Sequence, residues 1–412
     1  MQQSLTLGGN TGRRAASLLV GLGMVVASVM TIRHFFASNY PTTIYEGSFC
    51  DIGAFFNCDS SAYSVLAEVA GVPIGYFGLF VGLLVALGAL FPSAEFERSN
   101  KTIALVNGVS VVLLALFSTV YLGSLCLICS GYWITSLLSL GLFWKYGIDG
   151  DQPGVIARWF RASPKYAAVF AVLLVFGAYG ARQYHGARQD AQSGGVAARI
   201  VEQYYNLPLV EWPSVISPYW TAQATESFED APIRIVEFGD LLCSDCLILH
   251  EQMVRLKEEF AGKVNVAFQF FPLEAECNDV VEKDKHPGAC EISYMAAYDP
   301  DKFLAIHDEV WENFQAAKTP EWRAEMARRY GVEAALEDSA ARAIIHEHIQ
   351  TGAEYERTSE RYAHGIRSTP TMIINNRMII GTFPYEQLRA IFQALVDEAE
   401  GGDRRFLENW VD

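Results

Sequence analysis

Long apolar stretches dominate the first half of the chain. Residues 15–32 and 71–91 are free of charge, and no charged residue occurs from 102 to 144. A helix rises about 1.5 Å per residue, so about 20 apolar residues cross the hydrocarbon core of a membrane. The third stretch is about twice that length. We therefore predict two helices there, with a break at Leu122-Gly123-Ser124.

A fifth, shorter span is predicted at about 166–182. Lys and Arg concentrate on the cytoplasmic side of membrane proteins, and in alternating spans most of the flanking cations share one side, with Arg33 as the main exception. We therefore expect an uncleaved signal anchor with a cytoplasmic N-terminus, and all residues after Arg182 outside the cytoplasm. The cations on the cytoplasmic side are Arg13, Arg14, Arg98, Lys101, Lys145, Arg158, Arg161 and Lys165.

The pattern becomes that of a globular α/β domain in the second half. Residues 183–225 contain Gly and Pro punctuation that predicts a linker or stalk, with Trp212 and Trp220 as candidate interfacial anchors. An apolar run typical of a buried strand follows at 233–238, then a helical pattern to about 260 and a second strand at 264–270.

These patterns predict a multi-domain chain. An α-helical membrane bundle of four helices occupies residues 12–146. A cytoplasmic loop, the fifth transmembrane helix and the linker occupy 147–225. An α/β domain occupies 226–400, and a tail follows at 401–412.

Composition agrees with this division of the 412 residues. The chain is 51% apolar and 19% charged, and its net charge of -16 comes mostly from the second half. Phosphate binding requires a concentrated cationic surface. We therefore expect no nucleic-acid partner.

The cysteines form four close pairs with none left over, which indicates dithiol/disulfide couples. Buried small residues and a zinc site are the alternatives. Zinc is disfavoured because one C-x-x-C lies in an apolar run and the other opens the soluble domain, and no HExxH motif occurs. We therefore expect no metal. With the predicted topology all eight cysteines share the oxidising compartment. They are Cys50, Cys58, Cys126, Cys129, Cys243, Cys246, Cys277 and Cys290.

The Cys243-Ser-Asp-Cys246 segment follows a predicted strand and begins a helix. The free N–H groups and dipole at a helix start favour the thiolate of Cys243, the reactive form. Cys246, one turn inside the helix, can then resolve a mixed disulfide. This pattern predicts a redox-active couple.

This second half resembles a thioredoxin-fold domain of the DsbA-like branch. Glu237 matches the buried acid beneath the active site of that family, and Thr369-Pro370 matches its cis-proline loop, which holds the substrate chain. A helical stretch from about 301 to 361 matches its helical insertion. Asp245 stands between the cysteines, where strongly oxidising members have histidine, and a neighbouring acid disfavours a thiolate. We therefore expect a less oxidising couple.

Cys277 and Cys290 flank a charged insertion that ends in His286-Pro-Gly-Ala-Cys290. We interpret them as a structural disulfide that staples this loop, in preference to a second redox couple.

The first half resembles the bacterial form of the vitamin K epoxide reductase family over about residues 12–146. Fusion to a thioredoxin-like domain recurs among bacterial members. The residues that carry the resemblance are Cys50, Cys58 in Asn57-Cys58-Asp59, Ser64, Gly71-Val72-Pro73, Cys126 and Cys129.

The resemblance implies a route for electrons. Cys50 would meet the thioredoxin cysteine, Cys58 would exchange with Cys126, and Cys129 would reduce a membrane quinone, ubiquinone or menaquinone. Tyr132 and Trp133 follow Cys129 within about one helical turn and are candidate quinone contacts. An interfacial aromatic belt is the alternative for both.

Together these features predict a quinone-dependent thiol oxidase in a bacterial inner membrane, with the thioredoxin-like domain in the periplasm. Its partners would be exported proteins with free thiols, the quinone pool and the bilayer. A supplier of reductant for disulfide isomerisation is one alternative, and it predicts cysteines reachable from the cytoplasm. An anchored substrate-binding module without redox activity is the other.

Overall fold

The structure is a computed structural model that divides into two compact units, with the boundary inside one long helix after Asp190. It describes residues 10–40, 44, 58–149, 151, 154–161, 164–282, 284–355 and 365–401.

The first unit is helical. Its helices include α1 (Thr11–Asn39), α2 (Asp59–Ala62), α3 (Ile74–Leu90), α4 (Ala94–Leu116), α5 (Leu127–Tyr146) and α6 (Val155–Trp159), with a small hairpin of β1 (Glu68–Val69) and β2 (Val72–Pro73) before α3.

Glycines let α1 and α3 approach closely. A Cβ on Gly21 would lie 2.7 Å from the backbone nitrogen of Ala86, and one on Gly82 would lie 2.9 Å from that of Val25. Membrane helices lack a hydrophobic driving force between them, so small residues that allow backbone contact favour such packing.

The predicted break between the third and fourth membrane spans is present, between α4 and α5. α4 continues as a π-helical turn to Tyr121, and Gly123 then has a φ of +65°, which favours glycine. By length and composition α1, the α4 segment to Tyr121 and α5 could cross a membrane, and α3 and residues 168–183 are shorter apolar helices. The helical part of the predicted fold class is confirmed.

The first part of the predicted linker or stalk is helical. The fifth apolar segment belongs to α7 (Pro164–Tyr205), which continues beyond residue 183. Its last turns enter the second unit, where Ile200, Val201 and Tyr204 are fully buried. The apolar spacing of these three residues gives the end of α7 a face for that core.

Trp212 and Trp220 are also not membrane anchors. Trp212 contacts the ring of Phe228 at 5.2 Å between centroids, and Trp220 begins a strand and packs on the same core. The α/β unit therefore begins before residue 226.

The second unit has a five-stranded sheet in the order β3-β5-β4-β6-β7. β4 and β5 are parallel, and the other neighbouring pairs are antiparallel. Buried apolar clusters cover both faces of this sheet. Its strands are β3 (Trp220–Gln223), β4 (Ile233–Gly239), β5 (Val264–Phe270), β6 (Thr371–Ile374) and β7 (Arg377–Ile380).

The helices surround this sheet. The predicted helical insertion is present, but it begins earlier than 301, at Ala289, and residues 356–364 lie outside the described part. The helices are α8 (Ser244–Glu259), α9 (Ala289–Ala297), α10 (Pro300–Glu312), α11 (Phe314–Ala317), α12 (Pro320–Tyr330), α13 (Ser339–Glu354) and α14 (Tyr385–Ala399).

Candidate active site

The first unit contains three cysteines around one end of its helices. Cys126 caps the start of α5, where its sulfur accepts a hydrogen bond from the N–H of Cys129 at 3.1 Å. The two form a disulfide with 5.2 Å between their Cα atoms. Cys58 is fully buried and disulfide-bonded. Its predicted partner, Cys50, lies outside the described residues.

Short polar contacts hold α2 against α1. α2 directly follows Cys58. Ser38 Oγ donates to Asp59 Oδ1 at 3.0 Å, and His34 Nε2 lies 3.2 Å from the same oxygen. Ser60 Oγ lies 2.6 Å from Ser124 Oγ, in the segment before Cys126. These contacts place Cys58 beside the α5 disulfide although the two are far apart in sequence.

Cys58, Cys126 and Cys129 line one cavity, whose volume is roughly 850 Å³ including its open mouth. A site with this mostly apolar lining suits a planar apolar ligand. The cavity is also lined by His34, Ser64, Ile74, Gly78, Phe117, Tyr132 and Trp133.

Both predicted quinone contacts line this cavity, as does Ser64. The Tyr132 hydroxyl donates to Asn107 Oδ1 of α4 at 2.8 Å, so its proton is already engaged. Ser64 Oγ donates to the carbonyl of Ser61 at 2.9 Å. Asn107 was missed in the sequence because it lies in an apolar run with no motif around it.

In the second unit Cys243 and Cys246 are buried free thiols at the start of α8. β4 and β6 are antiparallel neighbours with Phe238 opposite Thr371, so the residues before β6 lie beside the end of β4. The Thr369–Pro370 peptide bond is cis, and Cys243 Sγ donates to the Thr369 carbonyl at 3.4 Å. The loop matched to the cis-proline loop therefore faces the cysteine pair.

The two thiols differ in acidity. Burial raises the pKa of Cys243, but the hydrogen bond with Cys246 and the positive charge of His286 outweigh it, and the pKa falls to about 7. Burial and the neighbouring Cys243 raise the pKa of Cys246. Cys243 is therefore the more acidic of the two thiols, as expected for a cysteine at a helix start.

A buried Asp–His pair lies next to Cys243. Asp240 Oδ2 lies 2.7 Å from His286 Nδ1. The acid that acts most strongly on Cys243 is Asp240, not Asp245 as predicted. Sequence analysis missed this pair, because 46 residues separate its members.

Glu237 lies on β4 and is 6% exposed. Burial raises the pKa of its carboxyl to about 7, and Lys257 opposes this rise. The Lys257 ammonium also donates to the Thr221 carbonyl at 3.1 Å. Glu237 is thus a buried acid that titrates near neutrality.

Cys277 and Cys290 form a disulfide with 5.9 Å between their Cα atoms, as the sequence predicts. Cys290 is buried and its N–H donates to Glu274 Oε2 at 2.8 Å. The disulfide closes the insertion that carries His286.

Within the described residues, one group brings possible metal ligands within 4.8 Å of one another, namely His250, His307 and Asp308. His307 Nδ1 lies 2.9 Å from Asp308 Oδ1, and its Nε2 accepts from Trp311 at 3.0 Å. Both ring nitrogens are engaged, so this group is a packing cluster. The absence of a metal stays a prediction.

Two protein families match the chain. Residues 15–144 match the vitamin K epoxide reductase family, and residues 228–394 match a thioredoxin family. Both resemblances predicted from the sequence are confirmed, and with them a helical domain followed by a thioredoxin-like domain.

Curated relatives match part of the chain. A "Probable disulfide bond formation protein D" of Bacillus cereus is 34% identical over 106 residues, which are 25% of this chain and 45% of the relative. The chain thus spans about half of that relative. The "Disulfide bond formation protein D" of Bacillus subtilis is 23% identical over 169 residues, 39% of this chain and 71% of the relative.

Solved structures are similar at low identity. Oxidised BdbD from Bacillus subtilis matches with 18% identity and a TM-score of 0.34, covering 46% of this chain and 99% of that chain. A periplasmic thioredoxin-like protein from Salmonella enterica serovar Typhimurium matches with 16% identity and a TM-score of 0.32, covering 44% and 91%.

Proposed function

We propose that this chain, which joins a vitamin K epoxide reductase domain to a thioredoxin-like domain, is an oxidoreductase that forms disulfides in exported proteins and passes their electrons to a membrane quinone. The observation that carries the proposal is the meeting of Cys58, Cys126 and Cys129 at one apolar cavity. Relatives named for disulfide bond formation support it.

Substrate oxidation takes place at Cys243 and Cys246. A substrate thiolate attacks Cys243 of the oxidised pair, and Cys246 leaves with the electron pair of the broken bond and takes up a proton. The second substrate thiolate attacks the substrate sulfur of the mixed disulfide, and Cys243 leaves. Two electrons and two protons have then passed to the domain.

The reduced pair is reoxidised by the membrane domain. Cys243 attacks the Cys50–Cys58 disulfide at Cys50, which forms a mixed disulfide and releases Cys58. Cys246 then attacks Cys243 in that mixed disulfide, so the Cys243–Cys246 bond forms and Cys50 leaves as the second reduced thiol. This step follows the family resemblance. Cys58 next attacks Cys126, and Cys129 leaves as a thiolate at the cavity. Cys50 then attacks Cys58, which restores the Cys50–Cys58 disulfide and releases Cys126.

The cavity lining fits a quinone. Such an acceptor is planar and largely apolar, and it takes up two electrons and two protons when reduced. Aromatic and aliphatic walls from Phe117, Ile74 and Trp133 suit its ring, and Cys129 lines the same space as the electron donor.

Replacing Cys129 by Ala tests the relay. The purified full-length C129A protein should reduce added quinone at least about 100-fold more slowly than wild type with a dithiol peptide, because the last thiolate is missing. It should still oxidise about two equivalents of peptide, since the Cys243–Cys246 and Cys50–Cys58 disulfides both remain.

Ser130→Ala is the matched control. Ser130 neighbours Cys129 on α5 and its hydroxyl donates to the Cys126 carbonyl at 2.9 Å, within the helix. S130A should keep wild-type quinone reduction. Unimpaired quinone reduction by C129A would refute the relay, and failure of wild type to oxidise the peptide would favour a binding module.

A further inference from the structure

A buried charged pair lies beside Cys243 and has no part in the relay above. Asp240 is fully buried, and its carboxylate accepts hydrogen bonds from the backbone N–H groups of Leu242 and Leu273, each at 2.7 Å. Its carbonyl accepts from the Cys243 N–H at 3.0 Å. His286 Nδ1 lies 2.7 Å from the same carboxylate. The imidazole is therefore held against the turn that carries the reactive thiol.

We propose that His286, held as an imidazolium by Asp240 and by the Cys277–Cys290 loop, is a positioning residue that stabilises the thiolate of Cys243. This inference rests on the proposed function only in taking Cys243 as the exchanging thiol. In DsbA-like members that oxidise strongly, a histidine stands between the two cysteines. Here a residue distant in sequence supplies the cation instead.

The charges around Cys243 agree with this role. The side chains that act on its thiol are Cys246, Asp240, His286, Lys318 and Thr369. His286 and Lys318 favour the thiolate, and Asp240 opposes it. Burial lowers the pKa of His286, but the charge and hydrogen bond of Asp240 outweigh burial and raise it. Asp240 thus has two opposed effects: its own charge disfavours the thiolate, and it favours the protonated form of His286.

The disulfide loop determines where His286 lies. The Cys277–Cys290 bond joins residues 13 apart, and Glu274 accepts the N–H groups of Gly288 and Cys290, each at 2.8 Å. The Leu273 carbonyl also accepts the N–H of His286 at 3.2 Å. Closing a short loop removes much of its conformational freedom. The disulfide therefore limits the positions that the imidazole can take.

The step that His286 assists is the release of Cys243. When the second substrate thiolate attacks the mixed disulfide, the bond between the substrate sulfur and Cys243 breaks, and its electron pair stays on Cys243. A nearby imidazolium stabilises that charge without giving up its proton. The same stabilisation raises the thiolate fraction of the reduced domain.

The test is the pH dependence of Cys243 alkylation in the full-length protein. After mild reduction that leaves Cys277–Cys290 intact, iodoacetamide labelling of Cys243 is followed by peptide mass spectrometry. In His286→Gln we expect the midpoint to rise by about one pH unit or more, and the rate near pH 7 to fall about tenfold. Cys277→Ser combined with Cys290→Ser should shift the midpoint in the same direction.

Lys285→Gln is the matched control, because it removes one positive charge from the same loop. Lys285 contacts the Leu273 carbonyl through its backbone N–H. K285Q should leave the midpoint unchanged. An H286Q profile equal to that of wild type would overturn the proposal. No quinone is needed, so this outcome would leave the relay standing.

A second measurement needs no variant. The exchange rate of each histidine C2 hydrogen, followed by mass spectrometry against pH, reports its titration. The midpoint of His286 should be lower in the oxidised protein than in the reduced one, since the thiolate charge is gone. Exposed His346 is the control and should not change. Equal midpoints for His286 in both forms would end the proposal even if H286Q did not fold.

Discussion

At the residue scale, the site depends on buried groups whose acidity is set by their neighbours. Cys243 has a lowered pKa of about 7. Thiols in thioredoxin have values of about 7, and those of strongly oxidising relatives about 3.5. The expectation of a less oxidising couple therefore remains a prediction. Of the two charged neighbours, Asp240 disfavours the thiolate of Cys243, whereas His286 favours it.

Glu237 makes the stability of the α/β unit depend on pH. Its folded pKa of about 7 exceeds the ordinary 4.5 because the carboxyl is buried. The folded state thus prefers the protonated acid, and the stability from this preference is lost as pH rises from about 4.5 through about 7. Glu237→Gln avoids this loss, so its stability relative to wild type should grow by about 3 kcal/mol between pH 4 and pH 8.

Pulse proteolysis of the full-length protein in urea measures this difference. Glu258→Gln is the control, since Glu258 lies exposed on α8. The stability of E258Q relative to wild type should not change with pH. A constant difference for E237Q across the same range would show that Glu237 does not titrate as proposed.

At the element scale, helix ends and small residues build the cavity. The π-helical turn at the end of α4 and the glycine break bring Cys126 to the start of α5. π-Helical turns are frequent at functional sites, and this one supplies Phe117 to the cavity. Gly78 of α3 leaves room for the Tyr132 ring.

Gly78→Ala should impair quinone use. A Cβ on Gly78 would lie 2.7 Å from Ser28 Oγ and 2.8 Å from the Tyr132 ring, so that ring must move. We expect the KM for quinone to rise about tenfold, while single-turnover oxidation of a dithiol peptide is unchanged. Gly141→Ala on α5 is the control, since a Cβ there meets nothing within 4 Å. Equal KM values for both variants would mean that the cavity is not the quinone site.

At the scale of the whole molecule, the relay requires both cysteine domains on one side of the membrane. α7 carries the chain from its apolar segment at residues 168–183 into the core of the α/β unit. Whether the apolar segment of α7 spans the membrane therefore decides which compartment contains Cys243.

Engineered cysteines test the orientation. In intact cells an impermeant maleimide should label Glu258→Cys on α8, but should label Glu95→Cys, in the first turn of α4, only after permeabilisation. Both positions are exposed, so the contrast reports the compartment. Labelling of E258C only after permeabilisation would separate the two domains and contradict the relay.

The sequence alone was enough to predict features that depend on local properties. The apolar lengths predicted the membrane helices, because a span must cover a fixed thickness. The break at Gly123 followed from the same length, and the C-x-x-C spacing predicted the helix start at Cys243. The Cys277–Cys290 disulfide followed from pairing the eight cysteines.

Only the tertiary structure decided which distant residues meet. The hydrophobic pattern of an element shows which of its faces is apolar, but not which residues cover that face. The predicted fifth helix therefore ended where its apolar run ended, and Tyr204 was assigned to the linker or stalk. Likewise, no local rule joins Asp240 to His286 or Asn107 to Tyr132. Such pairs form because a buried polar group must find a partner in the folded chain, and packing alone determines which partner is within reach.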